Sequence, residues 1–151
     1  MKAVIQVCRD ARVDVDGVTT GAIEHGMLVY FGAEAGDDSS MLRPFLEKMM
    51  RLRIFKDERG KMNLSLSQTG GSILLVSQFT LAADVYKGNR PGFETALDAG
   101  SAEKLYEEAV SILRGMGYTV STGVFGAHML VSYTNDGPET FILDSQCFLH
   151  R

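Results

Sequence analysis

Apolar residues along the chain follow two spacings, and the commoner one is that of β-strands. Runs of strand length are continuous or alternate between apolar and polar residues, several are rich in Val and Ile, and Gly, Asp and Asn flank them. The Asp16-Gly17 pair between two such runs predicts a two-residue hairpin turn of type I′, in which both central residues have positive φ. The predicted strands cover residues 3–8, 13–15, 27–33, 73–79, 119–124, 128–133 and 140–143.

Two further segments have apolar residues three and four positions apart, which is the spacing of an amphipathic helix. They cover 41–52 and 105–116, and both carry methionines that we interpret as core residues. The helix boundaries are indicated by cap candidates at 37–40 and at Ser101 and by a terminating glycine, Gly115 or Gly117. Strands interrupted by two helices predict an α+β fold with a largely antiparallel, barrel-like sheet.

Composition is that of one globular domain. The chain has 151 residues, of which 45% are hydrophobic and 23% charged, so one core can form without disulfides or a structural metal. The loosest stretches, Gly70-Gly71 and 89–100, are interpreted as loops inside one domain that covers 1–151. The formal net charge of −4 excludes a strongly basic nucleic-acid-binding protein.

Cysteine usage and hydropathy exclude several classes of protein. Cys8 and Cys147 stand near opposite ends, without a CxxC pair or histidines at metal-ligand spacing. This argues against a disulfide scaffold or a zinc site, and we expect no metal and no other cofactor. The first apolar run is too short for a secretory signal, and none approaches the ~18 residues of a membrane span. We therefore expect no membrane partner and a cytoplasmic location.

Familiar catalytic motifs do not occur in the sequence, which contains no P-loop, no GxSxG and no HExxH. The three histidines are His25, His128 and His150, and only His128 falls within a predicted strand. A structural or surface role is favoured for each of them over that of a general base.

Two segments place polar residues where a rigid element is expected to end. The apolar run at 73–79 leads into Ser77, Gln78 and Thr80, which would present hydrogen-bonding groups at a fixed position. Alternatively, these residues only satisfy local backbone groups at the end of the strand. The second segment, 132–142, contains Asn, Asp, Gly and Pro in succession, and its alternative interpretation is an ordinary turn between two antiparallel strands.

The same two segments carry the motifs of a known family. They read Ser77-Gln78-Phe79-Thr80 and Asn135-Asp136-Gly137-Pro138-Glu139-Thr140, which match Ser-Gln-Phe-Thr and Asn-x-Gly-Pro-x-Thr. Further similar stretches occur in the family's order at 53–55, 60–64, 81–84 and 88–93. Up to about residue 143 the chain resembles the D-aminoacyl-tRNA deacylases, also called D-tyrosyl-tRNA deacylases. Residues 145–151 form a C-terminal tail beyond this match.

The resemblance implies an enzyme that hydrolyses the ester between a D-amino acid and the 3′-terminal adenosine of tRNA, and that also removes glycine from mischarged tRNA. It assigns the catalytic site to Ser77, Gln78, Phe79 and Thr80. Thr80 is a candidate nucleophile, but a threonine hydroxyl needs a partner base and none stands nearby in the sequence. We favour the alternative, in which the 2′-OH of the substrate ribose helps to activate water while Thr80 and Phe79 line the oxyanion region.

The resemblance also implies a homodimer with active sites at the subunit interface. Gly137-Pro138 looks like the family's Gly-cisPro motif, which one subunit inserts into the active site of the other and which excludes L side chains by collision. The residues expected near the terminal adenosine are Phe125, Gly126, Ala127 and Met129. An equally supported role for Phe125 is that of a core aromatic residue.

One position departs from the family pattern. Members commonly have Arg directly after the Gln of the first strand, where it supports the Gly-Pro loop, whereas Val7 follows Gln6 here. Arg9 is a candidate substitute for that support.

Basic residues are concentrated in one segment of this acidic chain. Residues 43–61 contain seven basic and three acidic residues, a net charge of +4, whereas the remaining 8 basic and 16 acidic residues give −8. A solvated helix face is one interpretation, and a stripe that holds the tRNA acceptor stem is the other. No DNA partner is expected. The basic residues are Arg43, Lys48, Arg51, Arg53, Lys56, Arg59 and Lys61.

Two other functions compete with deacylation of tRNA. One is a tRNA- or protein-binding module that keeps the fold without catalysis. The other is a hydrolase of small D-amino-acid esters that does not need tRNA, which would act as fast on a free aminoacyl adenosine as on charged tRNA.

Overall fold

The computed structural model describes residues 1–86 and 88–148. Its strands are β1 (Lys2–Val15), β2 (Val18–Gly32), β3 (Phe55–Lys56), β4 (Met62–Leu64), β5 (Ser72–Ser77), β6 (Val120–Thr122) and β7 (Leu130–Asp144). Its helices are α1 (Ser39–Met50), α2 (Leu66–Thr69) and α3 (Ala99–Gly115), with short 3₁₀ helices at Phe79–Ala82 and Ser145–Cys147. No helix in this part of the chain is long and apolar enough to cross a membrane.

The main sheet has five strands in the order β6-β5-β2-β1-β7, and β3 and β4 form a separate two-stranded sheet. The α+β prediction is confirmed, but within the main sheet only the pairings of β1 with β2 and β7 are antiparallel. The pairings of β5 with β2 and β6 are parallel, because the segments that lead into β5 and β6 contain helices and bring the chain back in the same direction. No strand pairing among the described residues joins β6 to β7, so the sheet is open and does not form a closed barrel.

The first two strands are longer than the sequence pattern predicts, because each continues through residues that lack clear alternation. They are joined by the predicted hairpin turn, in which Asp16 has φ 49° and Gly17 has φ 79°. The first half of β2 approaches β6, and Ser121 Oγ there donates a 2.9 Å hydrogen bond to the carbonyl of Ala22. A Cβ on Gly21 would overlap the carbonyl of Thr122, so this close approach requires glycine.

Two hydrophobic clusters use the opposite faces of the sheet. The larger cluster packs the buried sides of α1 and α3 against β1, β2 and β5, and its methionines Met49 and Met50 are core residues, as predicted. The smaller cluster contains Cys8, Leu28 and Val76. Apolar positions at strand and helix spacing therefore identified the core correctly.

The predicted start of the second helix is wrong. Asp98 is the N-cap of α3, and its carboxylate accepts a 3.0 Å hydrogen bond from the backbone N–H of Ser101, which lies inside the first turn. The apolar stripe begins only at Leu105, so the exposed first turn leaves no mark in the hydrophobic pattern. The helix ends at Gly115, as predicted, with Gly117 in a left-handed conformation at φ 90°.

The predicted tail, 145–151, is described up to residue 148. Ser145 is fully buried, and the ring of Phe148 stacks on that of Phe45 with a centroid distance of 6.0 Å. Residues 149–151, which include His150 with its predicted structural or surface role, lie outside the described residues.

Candidate active site

A cavity of about 590 Å³ opens where β2 and β5 end. The last residues of these parallel strands, the first turns of α3 and the segment between β6 and β7 line it. The carboxyl ends of neighbouring parallel strands are a common place for ligand sites, because the backbone there turns away and leaves a crevice.

One wall of the cavity is the turn that follows β5. The backbone N–H of Gln78 donates a 2.8 Å hydrogen bond to the carbonyl of Phe31, which continues the pairing of β5 with β2. The side chain of Gln78 then accepts from the backbone N–H of Thr80 at 3.4 Å and caps the 3₁₀ helix. Ser77, Gln78 and Phe79 line the cavity, so the polar turn predicted from the sequence lies at its edge.

Phe79 and Thr80 are both exposed beside this wall. The ring of Phe79 is 57% exposed and packs against Phe93 with a centroid distance of 4.9 Å. Thr80 follows Phe79 but is not one of the lining residues, and its hydroxyl makes no hydrogen bond with any residue of 1–86 or 88–148. No base among the described residues is therefore hydrogen-bonded to the Thr80 hydroxyl.

The opposite wall is formed by the segment that leads into β7. The residues predicted to lie near the terminal adenosine, Phe125, Gly126, Ala127 and Met129, all line the cavity. The ring of Phe125 also packs on Tyr106 with a centroid distance of 5.9 Å. Both interpretations of Phe125 are therefore compatible, since it contacts the core and faces the cavity.

His128 and Tyr30 are among the lining residues that were not identified as site residues from the sequence. His128 is exposed at the cavity and precedes β7, which begins only at Leu130, so its predicted place in a strand is wrong. Tyr30 also lines the cavity, and burial together with the neighbouring Tyr133 raises its pKa to about 12. An aromatic residue within an apolar strand resembles a core residue, so the pattern carried no signal for Tyr30.

The Gly137-Pro138 peptide bond is cis and lies within β7. Both halves of β7 pair with β1 in the same antiparallel direction, so the alternative of an ordinary turn between two strands is wrong. Gln6 of β1 pairs with Thr140 and Cys8 with Asn135, which leaves residues 136–139 opposite a single residue of β1. We call residues 136–139 the Gly-Pro bulge. Proline is accepted here because β7 is an edge strand and the bulge lies outside the ladder.

Polar side chains hold both ends of the Gly-Pro bulge. The amide oxygen of Gln6 accepts hydrogen bonds from the side chains of Asn135 and Thr140, the latter at 2.6 Å. Arg9 Nε lies 2.7 Å from Asp136 Oδ2, and this hydrogen bond lowers the pKa of Asp136. The predicted substitute for the missing arginine is therefore in contact with the bulge, while Val7 is buried in the core.

The Gly-Pro bulge and the cavity are separate within one chain. Neither Gly137 nor Pro138 is among the residues that line the cavity. The residues next to them, Asp136 and Glu139, instead line a second cavity of about 520 Å³, together with Arg9 and Lys56. The cavity thus brings Ser77, Gln78 and Phe79 together with the predicted adenosine-binding residues, but it includes neither Thr80 nor the predicted chiral-selectivity motif.

The seven basic residues predicted to bind tRNA are all exposed, but they do not form one cluster. Arg43, Arg51 and Arg53 line a shallow groove of about 450 Å³. Glu47 lies 4.0 Å from Arg43 and 3.5 Å from Arg51, and it partly neutralises them. Lys56 contacts Glu139 at 3.4 Å instead. Lys48, Arg59 and Lys61 line none of these three cavities.

No group of three His, Cys, Asp or Glu side chains within 1–86 and 88–148 is arranged to hold a metal ion.

The chain also matches a known protein family. A family model described as D-Tyr-tRNA(Tyr) deacylase matches residues 4–144. The chain belongs to this family. The match includes both walls of the cavity and the Gly-Pro bulge, and it confirms the resemblance found in the sequence. It also confirms the enzyme class, a deacylase that hydrolyses the ester bond of aminoacyl-tRNA.

Alignments with individual relatives cover nearly the whole length of this deacylase. A D-aminoacyl-tRNA deacylase of Geobacter sulfurreducens is 51% identical over 146 residues, which is 97% of this chain and 96% of the relative. A D-aminoacyl-tRNA deacylase of Shewanella sediminis is 52% identical over 143 residues, which is 95% of this chain and 99% of the relative.

Two solved structures share the fold. The c-Myc DNA Unwinding Element Binding Protein superimposes with a TM-score of 0.90 at 39% identity, covering 95% of this chain and 98% of that protein. A probable eukaryotic D-amino acid tRNA deacylase superimposes with a TM-score of 0.74 at 19% identity, and the match covers 94% of this chain and 98% of that protein. The second similarity concerns the fold alone.

Proposed function

We propose that this deacylase clears D-amino acids and glycine from tRNA by hydrolysing their ester bond, while it leaves L-aminoacyl-tRNA intact. The observation that carries the proposal is the shared cavity of the Ser77-Gln78-Phe79 turn and the Phe125–Met129 segment. Its volume of about 590 Å³ is within the 300–1,000 Å³ common for small-molecule sites, which suits an aminoacylated adenosine.

In the proposed reaction, water attacks the ester carbonyl and the substrate's 2′-OH assists in activating it. The developing oxyanion is stabilised by the backbone N–H of Phe79, which opens the 3₁₀ helix and has no partner within it, whereas the N–H of Thr80 is held by the side chain of Gln78. The bond between the carbonyl carbon and the ribose 3′-oxygen then breaks. The 3′-oxygen takes up a proton, and the products are the free amino acid and tRNA. The absence of a base beside Thr80, in the part of the chain described, supports this route over a threonine nucleophile.

Chiral selection is assigned to Gly137-Pro138 of a second copy of the chain. The Gly-Pro bulge lies outside the cavity of its own chain, and the long strand β7 that carries it is an edge strand with an unpaired side. Leu130 and Ile142 of this strand are 61% and 75% exposed, which favours burial against another copy. Main-chain atoms placed next to the substrate Cα would collide with an L side chain, whereas a D side chain or glycine would pass.

We further propose that residues 1–151 act as one catalytic domain that holds the acceptor end of tRNA at two places. Ala102 lines the cavity and Met116 lines the groove of Arg43, Arg51 and Arg53. These two residues are connected by α3, which separates them by about 20 Å at 1.5 Å per residue. A backbone phosphate of the acceptor stem could thus bind the arginines while the 3′ end occupies the cavity.

The test is deacylation of D-Tyr-tRNA, L-Tyr-tRNA and Gly-tRNA by the purified protein. We expect hydrolysis of the D and glycine substrates and no acceleration of the L substrate. Equal hydrolysis of D and L substrates, or hydrolysis of neither, contradicts the proposal. Activity on free D-tyrosyl adenosine equal to that on D-Tyr-tRNA would favour a hydrolase of small esters instead.

A further inference from the structure

Both residues that flank Gly137-Pro138 are acidic, and each is held by a basic residue from another strand. We propose that Arg9 and Lys56 are positioning residues that fix the Gly-Pro bulge through Asp136 and Glu139 and thereby set the rejection of L substrates. This inference rests on the proposed role of Gly137-Pro138 in chiral selection.

The first contact fixes the entrance of the bulge. Asp136 directly precedes Gly137, and its carboxylate accepts a 2.7 Å hydrogen bond from Arg9 Nε. Gln6, three residues before Arg9 on the same strand, binds the side chains of Asn135 and Thr140 at the base of the bulge. Strand β1 therefore controls where the bulge begins and ends.

The second contact fixes the exit of the bulge from a different sheet. Lys56 lies in β3, which pairs only with β4, and its Nζ is 3.4 Å from Glu139 Oε1. The carboxylate of Glu139 lies directly over Gly137, where an added Cβ would overlap its Oε2. Lys56 thus orients a side chain that occupies the space next to the cis peptide bond.

The two ion pairs affect the placement of the Gly-Pro bulge rather than the global stability of the fold. Arg9 and Lys56 are 66% and 53% exposed, and ion pairs at such exposure contribute little to global stability. Rejection by collision, in contrast, depends on the placement of main-chain atoms to within about 0.5 Å. Without its ion pairs the bulge keeps the contacts of Gln6 at its base and the 3.2 Å hydrogen bond from the Thr140 hydroxyl to the carbonyl of Pro138, but Asp136 and Glu139 are released and an L side chain gains room.

The test is the ratio of kcat/KM for L-Tyr-tRNA to that for D-Tyr-tRNA, measured for Arg9→Ala and Lys56→Ala. Because both substrates carry the same tRNA, changes in phosphate binding cancel in this ratio. We expect the ratio to rise at least about tenfold in each variant, since a misplacement of 1 Å can change rates by ~10²-fold. The kcat/KM of Arg9→Ala for D-Tyr-tRNA should stay within about threefold of the unmodified protein.

Charge exchange separates the ion pairs from other roles of these residues. The double variants Arg9→Asp with Asp136→Arg, and Lys56→Glu with Glu139→Lys, should lower the ratio again compared with Arg9→Asp or Lys56→Glu alone. Arg12→Ala is the matched control, because Arg12 is an exposed arginine of β1 whose Nε pairs with Asp14 at 3.0 Å, away from the bulge. Its ratio should not change.

The outcomes distinguish this inference from the proposed function. If the unmodified protein does not prefer the D substrate, the proposed function fails. If it does, and Pro138→Ala loses the preference while Arg9→Ala and Lys56→Ala keep it, only the positioning role is overturned. The positioning role is also overturned if kcat/KM falls equally for the D and L substrates in Arg9→Ala and Lys56→Ala. It is overturned as well if the double variants with exchanged charges do not lower the ratio again.

Discussion

The hydroxyl of Tyr106 donates a 2.8 Å hydrogen bond to the backbone carbonyl of Leu75, beneath the cavity between β5 and α3. Burial raises the pKa of Tyr106 to about 12, so the hydroxyl keeps its proton at any physiological pH. The same ring packs on Phe125, which connects the core to the cavity wall.

Tyr106→Phe is expected to lower the free energy of unfolding by about 1 kcal/mol, the usual contribution of a buried hydrogen bond. Tyr106→Ala would also remove the support of Phe125 and should cost about 3–5 kcal/mol. Urea denaturation measures both values, and the KM for D-Tyr-tRNA should rise only in the alanine variant. Equal stability of all three proteins would contradict the role given to this contact.

Thr80→Ala is expected to retain kcat within about tenfold of the unmodified protein. The hydroxyl has no partner among the described residues, so its removal takes away no activated nucleophile. Single-turnover deacylation of D-Tyr-tRNA measures the effect, with Thr80→Ser as the matched control. A loss of ~10⁴-fold or more in the alanine variant that serine restores would instead identify Thr80 as the nucleophile.

Gly137→Ala is expected to reduce the preference for D over L substrates without abolishing folding. Gly137 has φ 154°, and an added Cβ would overlap the side chain of Glu139 and displace the bulge. Gly17→Ala is the control, because Gly17 also has a positive φ, 79°, but nothing within 4 Å of an added Cβ. Should both variants retain full discrimination, Gly137 has no part in chiral selection.

Only one of the two thiols should react with iodoacetamide in the native protein at pH 8. Cys8 is 1% exposed, and burial raises the pKa of its thiol to about 11, so only about 0.1% is thiolate at pH 8. Cys147 is exposed and should be labelled. Mass spectrometry of tryptic peptides identifies the labelled residue. Labelling of Cys8 would become possible as pH approaches 11 or when urea unfolds the protein; rapid labelling at pH 8 would contradict this burial.

The variant Arg43→Ala with Arg51→Ala is expected to raise KM for D-Tyr-tRNA and to weaken its dependence on salt. Each lost phosphate contact should reduce the slope of log affinity against log salt by about 0.7–0.9. Lys104→Ala, an exposed basic residue on α3, is the control for net charge. An unchanged slope in the double variant would mean that the groove does not bind phosphate.

The core and the polar segment at 77–80 could be predicted from the sequence because they depend on local spacing. Residues such as Leu42 and Phe45 recur at helical intervals and are fully buried, and the Asp16-Gly17 turn follows from its two residues alone. The motif at 77–80 follows an apolar strand, so its position at the end of a rigid element was visible in the chain itself.

The arrangement of the sheet and the contacts of the Gly-Pro bulge could not be predicted in this way. Arg9 and Asp136 are separated by 127 positions and Lys56 and Glu139 by more than 80, and no periodicity links such distant pairs. Whether β5 runs parallel to β2 depends on the path of the helices between them, which the alternation of apolar residues does not encode.

Sequence alone determined most of the buried apolar positions, the existence of the two long helices and the Asp16-Gly17 turn, because these follow from interactions between near neighbours. The two motifs were identified by their resemblance to the family. The tertiary structure alone decided that Phe79 and Phe125 share one cavity while Gly137-Pro138 lies outside it. The physical reason is that pairing across the sheet brings distant segments together only when the whole chain packs around its common core.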